Sequence, residues 1–249
     1  MRILPSYDLD KIKFATDGTT FERAVGLYES GKVTEFKAKM DGFSAVVLGG
    51  SLYHVFVSAR NYNHGSCDCY LGQNDTFCKH MVAVAIRAVT GGKPLSGEDK
   101  QLLSRPTCSG RLGKLNKEEL ATIKKSITVA LRYIKPYVGP SRIWFAYQDS
   151  LQEGCNRLSA IVSNLPVNEQ TARLLVNILL RLDKKLILGG VDDSDGTVGT
   201  FIEEIVQVLK QYAKLDSTCL QAFYELKDKK TCFGWEEPLL EIINGKIKI

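Results

Sequence analysis

The hydrophobic period of the chain changes along its length, and the change divides it. Apolar and polar positions alternate over residues 33–40, 43–48 and 52–59, which predicts three strands of an antiparallel meander with turns at Asp41-Gly42 and Gly49-Gly50-Ser51. Ahead of them, Thr19-Thr20-Phe21-Glu22 has the form of a capping box opening a helix that ends near Gly31. Beyond residue 80, Val82, Ala85, Ile86 and Val89 recur at helical spacing. From residue 116 the period is helical almost throughout. Leu120, Ile123, Ile127, Leu131 and Ile134 line a first helix face, and Ile143, Tyr147, Leu151, Leu158 and Ile161 a second. Leu174, Leu175, Ile178, Leu179 and Leu182 line a third, and Phe201, Ile202, Ile205, Leu209 and Tyr212 a fourth. Shorter helices are expected near 220–226 and 237–243, with breaks at 136–140, at Pro166 and at 189–196.

Between the two regimes the stretch from Gly91-Gly92-Lys93-Pro94 to Gly113-Lys114 is rich in Gly, Pro, Ser and basic residues and reads as a linker. The expected organisation is an α+β domain over 1–92, a basic linker over 93–115 and an all-α bundle of five or six helices over 116–249. With 249 residues, 44% hydrophobic and 24% charged, the chain can build two cores. No run approaches the roughly 18 apolar residues of a transmembrane helix, so no membrane association is expected. The opening Met1-Arg2-Ile3-Leu4-Pro5-Ser6-Tyr7-Asp8 lacks the apolar core of a signal peptide.

Composition adds one decisive cluster. The chain has seven Cys and three His, and four of those ten fall in Cys67-Asp68-Cys69 and Cys78-Lys79-His80. Thiolates and imidazole are the ligands that close a tetrahedral zinc site. Ligands two apart point the same way along an extended segment or tight turn, so each pair can grip the ion from one side. Gly72 and the polar run Gln73-Asn74-Asp75-Thr76 form a loop that brings the pairs together. Three thiolates and a neutral imidazole leave the core with a net charge of about −1, which Lys79 can offset. A Cys-x-Cys disulfide would be strained. The alternatives are buried free thiols and a catalytic zinc that keeps a water; neither His-x-Glu with Pro-Cys-x-x-Cys nor His-Glu-x-x-His is present. Free-thiol ligands and the scattered Cys108, Cys155, Cys219 and Cys232 point to a reducing compartment, hence the cytoplasm.

The Cys67-x-Cys69, eight-residue loop, Cys78-x-His80 arrangement followed by an apolar helix resembles a SWIM-type zinc finger. The resemblance spans roughly residues 15–92, because similar domains carry a helix and sheet ahead of the ligands. It implies one structural zinc held by Cys67, Cys69, Cys78 and His80, and no catalytic residue. Such fingers are described as DNA-binding and protein-interaction modules in Mutator-type transposases, in ubiquitin-ligase-like kinases and in partners of recombinase paralogues. Small prokaryotic members join the finger to a helical region.

Charge bears on the partner. Residues 1–115 hold 15 Lys/Arg against 11 Asp/Glu, and residues 116–249 hold 18 against 17, so the surplus lies with the finger and linker. Strict alternation puts Lys37 and Lys39 on the strand face of Val33 and Glu35; with Arg60, Lys79 and Arg87 they are candidates for a nucleic-acid-binding surface beside the metal. The alternative is that these are ordinary solvated side chains. Arg173, Arg181, Lys184 and Lys185 read as a solvent face. His54 reads as a semi-buried hydrogen-bonded strand residue; His64 precedes the first pair by three residues, where a substitute for His80 or a supporting neighbour could sit, but neither is expected as a ligand. Val191-Asp192-Asp193-Ser194-Asp195-Gly196 is out of register with a calcium loop and reads as an acidic turn at a helix N-terminus. The expectation is therefore a non-enzymatic zinc-binding adaptor for a protein partner, for instance an ATPase or recombinase-like protein, with nucleic-acid association. Direct DNA or RNA binding is the first alternative and a zinc-dependent enzyme the second.

Overall fold

The structure, a computed structural model, describes residues 3–74, 76–141 and 144–245, the side chain of Phe145 excepted. Of the positions read above, Met1, Arg2, Asp75 and Ile143 lie outside the described residues. The chain divides into two compact units, Met1–Leu102 and Leu103–Ile249, each with its own hydrophobic core. Among the described residues no helix is long and apolar enough to cross a membrane.

The first unit opens with two helices, α1 (Leu9–Ala15) and α2 (Gly18–Glu29). Asp17, two residues before the expected Thr19, caps α2 by accepting the Thr20 N–H at 2.9 Å. A carboxylate there satisfies an orphan donor and also meets the positive end of the helix. Strands β1 (Val33–Ala38), β2 (Gly42–Leu48), β3 (Leu52–Ser58) and β4 (Gly65–Cys67) follow as an antiparallel meander in sequence order. A one-turn helix α3 (Tyr70–Gln73) and the long α4 (Lys79–Thr90) complete the fold.

Helix α4 is more deeply buried than a one-faced pattern suggests. Every residue from His80 to Ile86 is buried, because α4 packs against all four strands and also against α1 and α2. A helix apolar on all sides belongs inside, and here it joins two layers into one core. Phe43, Ala45, Val47, Val55 and Val57 meet it from the sheet; Ile12, Phe21 and Ala24 meet it from the helices.

Strand β1 departs from alternation. Val33 pairs with Val47 and Thr34 with Val46, but Lys37 pairs with Ser44, so one extra residue is inserted between Thr34 and Lys37. Glu35 takes a left-handed backbone (φ 47°) at this bulge. The insertion resets the phase: Phe36, not Glu35, joins Val33 on the inner face, where its ring stacks on Phe43 at 5.6 Å. Lys37 therefore lies on the outer face with Ser44 and Val46, opposite to Val33, which corrects the shared face expected from simple alternation.

The stretch expected as a linker is folded and shared between the units. Leu95 is buried in the first core, its N–H donating to Glu29 Oε1 at 3.0 Å. A short helix α5 (Gly97–Lys100), closed by a Ser96/Asp99 capping box, places Lys100 in an ion pair with Glu29. Residues beyond 102 are strapped to the second unit: the Thr107 N–H donates to Ser163 Oγ, the Ser109 hydroxyl to the Leu165 carbonyl, and the Asn168 side-chain amide to the Gly113 carbonyl. Gly, Pro and Ser here specify turns whose backbone groups are satisfied, not slack chain.

The second unit is the expected all-α assembly. Helices α6 (Lys117–Ala130), α7 (Trp144–Asn164), α8 (Glu169–Ile187) and α9 (Thr197–Leu215) converge on one core. A 3-10 segment (Ser217–Leu226), a 3-10 turn (Cys232–Gly234) and α10 (Glu237–Ile243) close it. The acidic turn caps α9 as read: Asp193 accepts the Val198 and Gly199 N–H groups at 2.7 and 2.8 Å. Within the expected solvent face, Arg173 is ion-paired to Glu169 and Glu225, and Lys184 is exposed. Lys185 differs; it is half-buried and donates to the Ile134 carbonyl at 2.6 Å, fastening α8 to the chain after α6.

Candidate metal centre

The first ligand pair is positioned by the β3–β4 pairing. Cys67 stands opposite Val55, and Asp68 follows as the residue that locks the edge. Its carboxylate accepts the His54 N–H at 3.0 Å and meets the His54 ring Nδ1 at 3.1 Å. With Asp68 held outward, Cys67 and Cys69 both turn inward, the alternation a Cys-x-Cys grip requires. His54 thus serves as an exposed anchor for the carboxylate rather than the semi-buried residue expected.

Cys69 begins α3, and its Sγ accepts the Gly72 N–H at 3.4 Å. Gly72 sits directly against Cys67: a Cβ there would come within 2.2 Å of the Cys67 carbonyl oxygen. No side chain fits without displacing a ligand's backbone. Gly72→Ala is accordingly expected to weaken zinc binding tenfold or more although Gly72 donates no ligand atom, on the scale of about 10–100-fold seen for residues that orient ligands. Competition with a chromophoric chelator measures this, and an unchanged affinity contradicts it.

The second pair opens α4. Cys78 is its N-cap and His80 lies in its first turn. The His80 ring stacks on Tyr53 at 4.4 Å, with Nδ1 at 3.7 Å from Cys67 Sγ and 3.9 Å from Cys78 Sγ. Regular tetrahedral zinc with these ligands needs a sulfur–nitrogen separation of about 3.6 Å. Nδ1 is therefore the atom that would ligate; buried Nε2 has no hydrogen-bond partner among the described residues and lies by the Gly49 turn.

All four ligand atoms lie within 4.8 Å of one another, and the residues are 1–7% exposed. The donor set fits zinc in number, softness and separation, so Cys67, Cys69, Cys78 and His80 would hold one ion with a closed shell. The electrostatics agree. The Cys78 thiol is pulled well below its ordinary range by the hydrogen bond from Cys67, against the effect of burial, and further by His80 and the Met81 N–H. Cys67 is pushed up by that same hydrogen bond and by burial. Thiol ligands bind as thiolates, so zinc binding releases protons and weakens as pH falls.

Other candidates fall elsewhere. His64 is exposed and outside the ligand group. Lys37 and Lys39 are exposed on the outer sheet face, and Arg60 is exposed just beyond β3. Lys79, beside the ligands, is half-buried, and Arg87 lies over the Phe36 ring at 5.9 Å on the inner side. The bulge in β1 thus puts Lys37 and Lys39 on the sheet face opposite Phe36 and Arg87. The sequence marked Gly72 as part of the inter-ligand loop, though not its close approach to Cys67, and gave no signal for Asp68 or Tyr53.

A family model described as SWIM zinc finger matches residues 53–88, from Tyr53 through all four ligands to Ala88 in α4. No curated protein and no solved structure matches the chain. Ligand spacing, burial, donor geometry and the family match converge on one statement: residues 53–88 carry a SWIM zinc finger in which Cys67, Cys69, Cys78 and His80 are positioned to bind one zinc ion.

Proposed function

We propose that the chain is a non-enzymatic zinc-binding adaptor of the cytoplasm, in which the metal holds the finger together and the surrounding surfaces take a protein partner. The observation that carries this reading is the closed ligand set. Three thiolates and an imidazole, all buried, leave zinc no position for water or substrate, which is the signature of a structural site. The rim of the site supports a protein partner. Leu48 and Leu52 face each other across the β2–β3 hairpin and are exposed, as are Tyr70 and Leu71 on α3, Tyr70 by 81%. Exposed apolar and aromatic side chains are the raw material of a protein interface. An ATPase or recombinase-like protein is the partner class that the SWIM resemblance suggests.

Nucleic-acid association is the second reading, favoured by the exposed Lys37 and Lys39 on the outer sheet face. Two lysines with Glu35 beside them make a modest phosphate-binding surface, so the adaptor reading stands first. Affinity purification of the zinc-loaded chain, with and without nuclease, distinguishes them. A protein partner that survives nuclease is expected. Capture of nucleic acid alone, or only partners that nuclease removes, overturns the adaptor reading.

A further inference from the structure

The helical unit carries a trough that its own core leaves open. It lies between α6 and α8, with a volume of about 1020 Å³, and its floor is formed by Leu115, Leu120, Ile127 and Leu174. On the α8 wall Gln170, Leu174, Asn177 and Arg181 follow at helical spacing, a stripe about 16 Å long. That is three helical turns, the length over which an amphipathic helix presents anchors at i, i+3 or i+4, and i+7.

Its charges are unequally satisfied. Glu169 and Glu225 are both bound by Arg173, and Asp216 accepts from the Thr218 N–H and hydroxyl. Lys114, Lys124 and Arg181 also line the trough and have no carboxylate partner among the described residues. The lining thus holds four cations against three carboxylates; Arg173 is shared by Glu169 and Glu225, and Asp216 is held by Thr218, so Lys114, Lys124 and Arg181 stand beside an apolar floor without an ion pair among the described residues. Nucleic acid is a poorer fit, because its phosphate backbone gains nothing from the leucines.

We infer that this trough docks an acidic amphipathic helix of a partner protein, its apolar side chains on the Leu120–Ile127–Leu174 floor and its carboxylates on Lys114, Lys124 and Arg181. The inference rests on the adaptor reading and names where and by what chemistry the partner is held. Charge complementarity sets specificity and salt dependence, and the buried apolar face supplies affinity.

The test uses the full zinc-loaded chain and a fluorescein-labelled amphipathic peptide of about 12 residues, three turns long. One version carries Leu on one face and Glu on the other; a second carries Lys in place of Glu. The acidic peptide is expected to bind at least tenfold more tightly than the basic one. Lys124→Glu combined with Arg181→Glu should weaken it about tenfold, as should raised salt, with thermal unfolding of the helical unit unchanged. Equal binding of the two peptides, no binding, or binding indifferent to the double substitution overturns the proposal. So does single-stranded oligonucleotide binding, or self-association, that the same substitutions abolish. Affinity purification in parallel keeps the two readings apart. A protein captured equally by the native chain and the double variant removes the trough as docking site and leaves the adaptor standing. Capture of no protein removes the adaptor, while the peptide result decides the trough by itself.

Discussion

Cys78→Ser is expected to abolish stoichiometric zinc and to unfold the Met1–Leu102 unit, while the Leu103–Ile249 unit keeps its own cooperative transition. Structural zinc sites contribute about 10–16 kcal/mol of apparent binding free energy, comparable to or above the roughly 5–15 kcal/mol that holds a whole domain together. The reason is visible in what the metal joins. Cys67 ends β4, Cys69 starts α3, and Cys78 and His80 open α4, the helix buried against every strand. Without the fourth bond, three buried polar ligands are left clustered beneath a short edge strand. The helical unit has an independent core and should be untouched. Metal analysis with circular dichroism checks both halves, and full zinc occupancy in Cys78→Ser or Cys67→Ser contradicts the ligand assignment.

The second large effect belongs to the helical unit. Asp183, on α8 and buried, accepts three hydrogen bonds at one carboxylate oxygen: from the Cys232 N–H at 2.8 Å, the Cys232 thiol at 3.0 Å and the Trp235 indole N–H at 3.1 Å. It is the clasp that holds the 3-10 turn before α10 against the core. Burial, reinforced by the Asp183 carboxylate, pushes the Cys232 thiol up to about 12, so it stays protonated as the donor. Asp183→Ala removes the acceptor of the buried Trp235 N–H and of both half-buried Cys232 donors, and hydrogen bonds to a charged group are worth about 1.5–3 kcal/mol each. A loss of about 3–5 kcal/mol in denaturant unfolding of this unit is expected, with zinc content unchanged. A loss below about 1 kcal/mol would show that the clasp is solvated instead.

The ligands were legible because zinc chemistry is local: four donors within fourteen positions need no knowledge of tertiary packing. The long helices of the second unit were legible for a related reason, since a core-facing stripe repeats over many turns; α10, expected at 237–243, is observed as Glu237–Ile243. What escaped depends on contacts or on single backbone angles. The bulge at Glu35 carries no Gly or Asn signal, yet it moves Phe36 inward and Lys37 outward. Strand β4 is three residues long and too short to alternate; it exists because β3 offers an edge. Helix α1 is a seven-residue segment stabilised by the Asp8 cap and by packing on α4. The stretch 93–115 has the composition of a linker, and only its hydrogen bonds to both units reveal otherwise.

Zinc K-edge X-ray absorption on the purified chain reads the coordination shell itself. One zinc per chain is expected, with three sulfur ligands at about 2.3 Å, one imidazole nitrogen at about 2.0–2.1 Å, and no coordinated water. Two or fewer sulfurs, an oxygen in the first shell, or no bound zinc would contradict the ligand assignment.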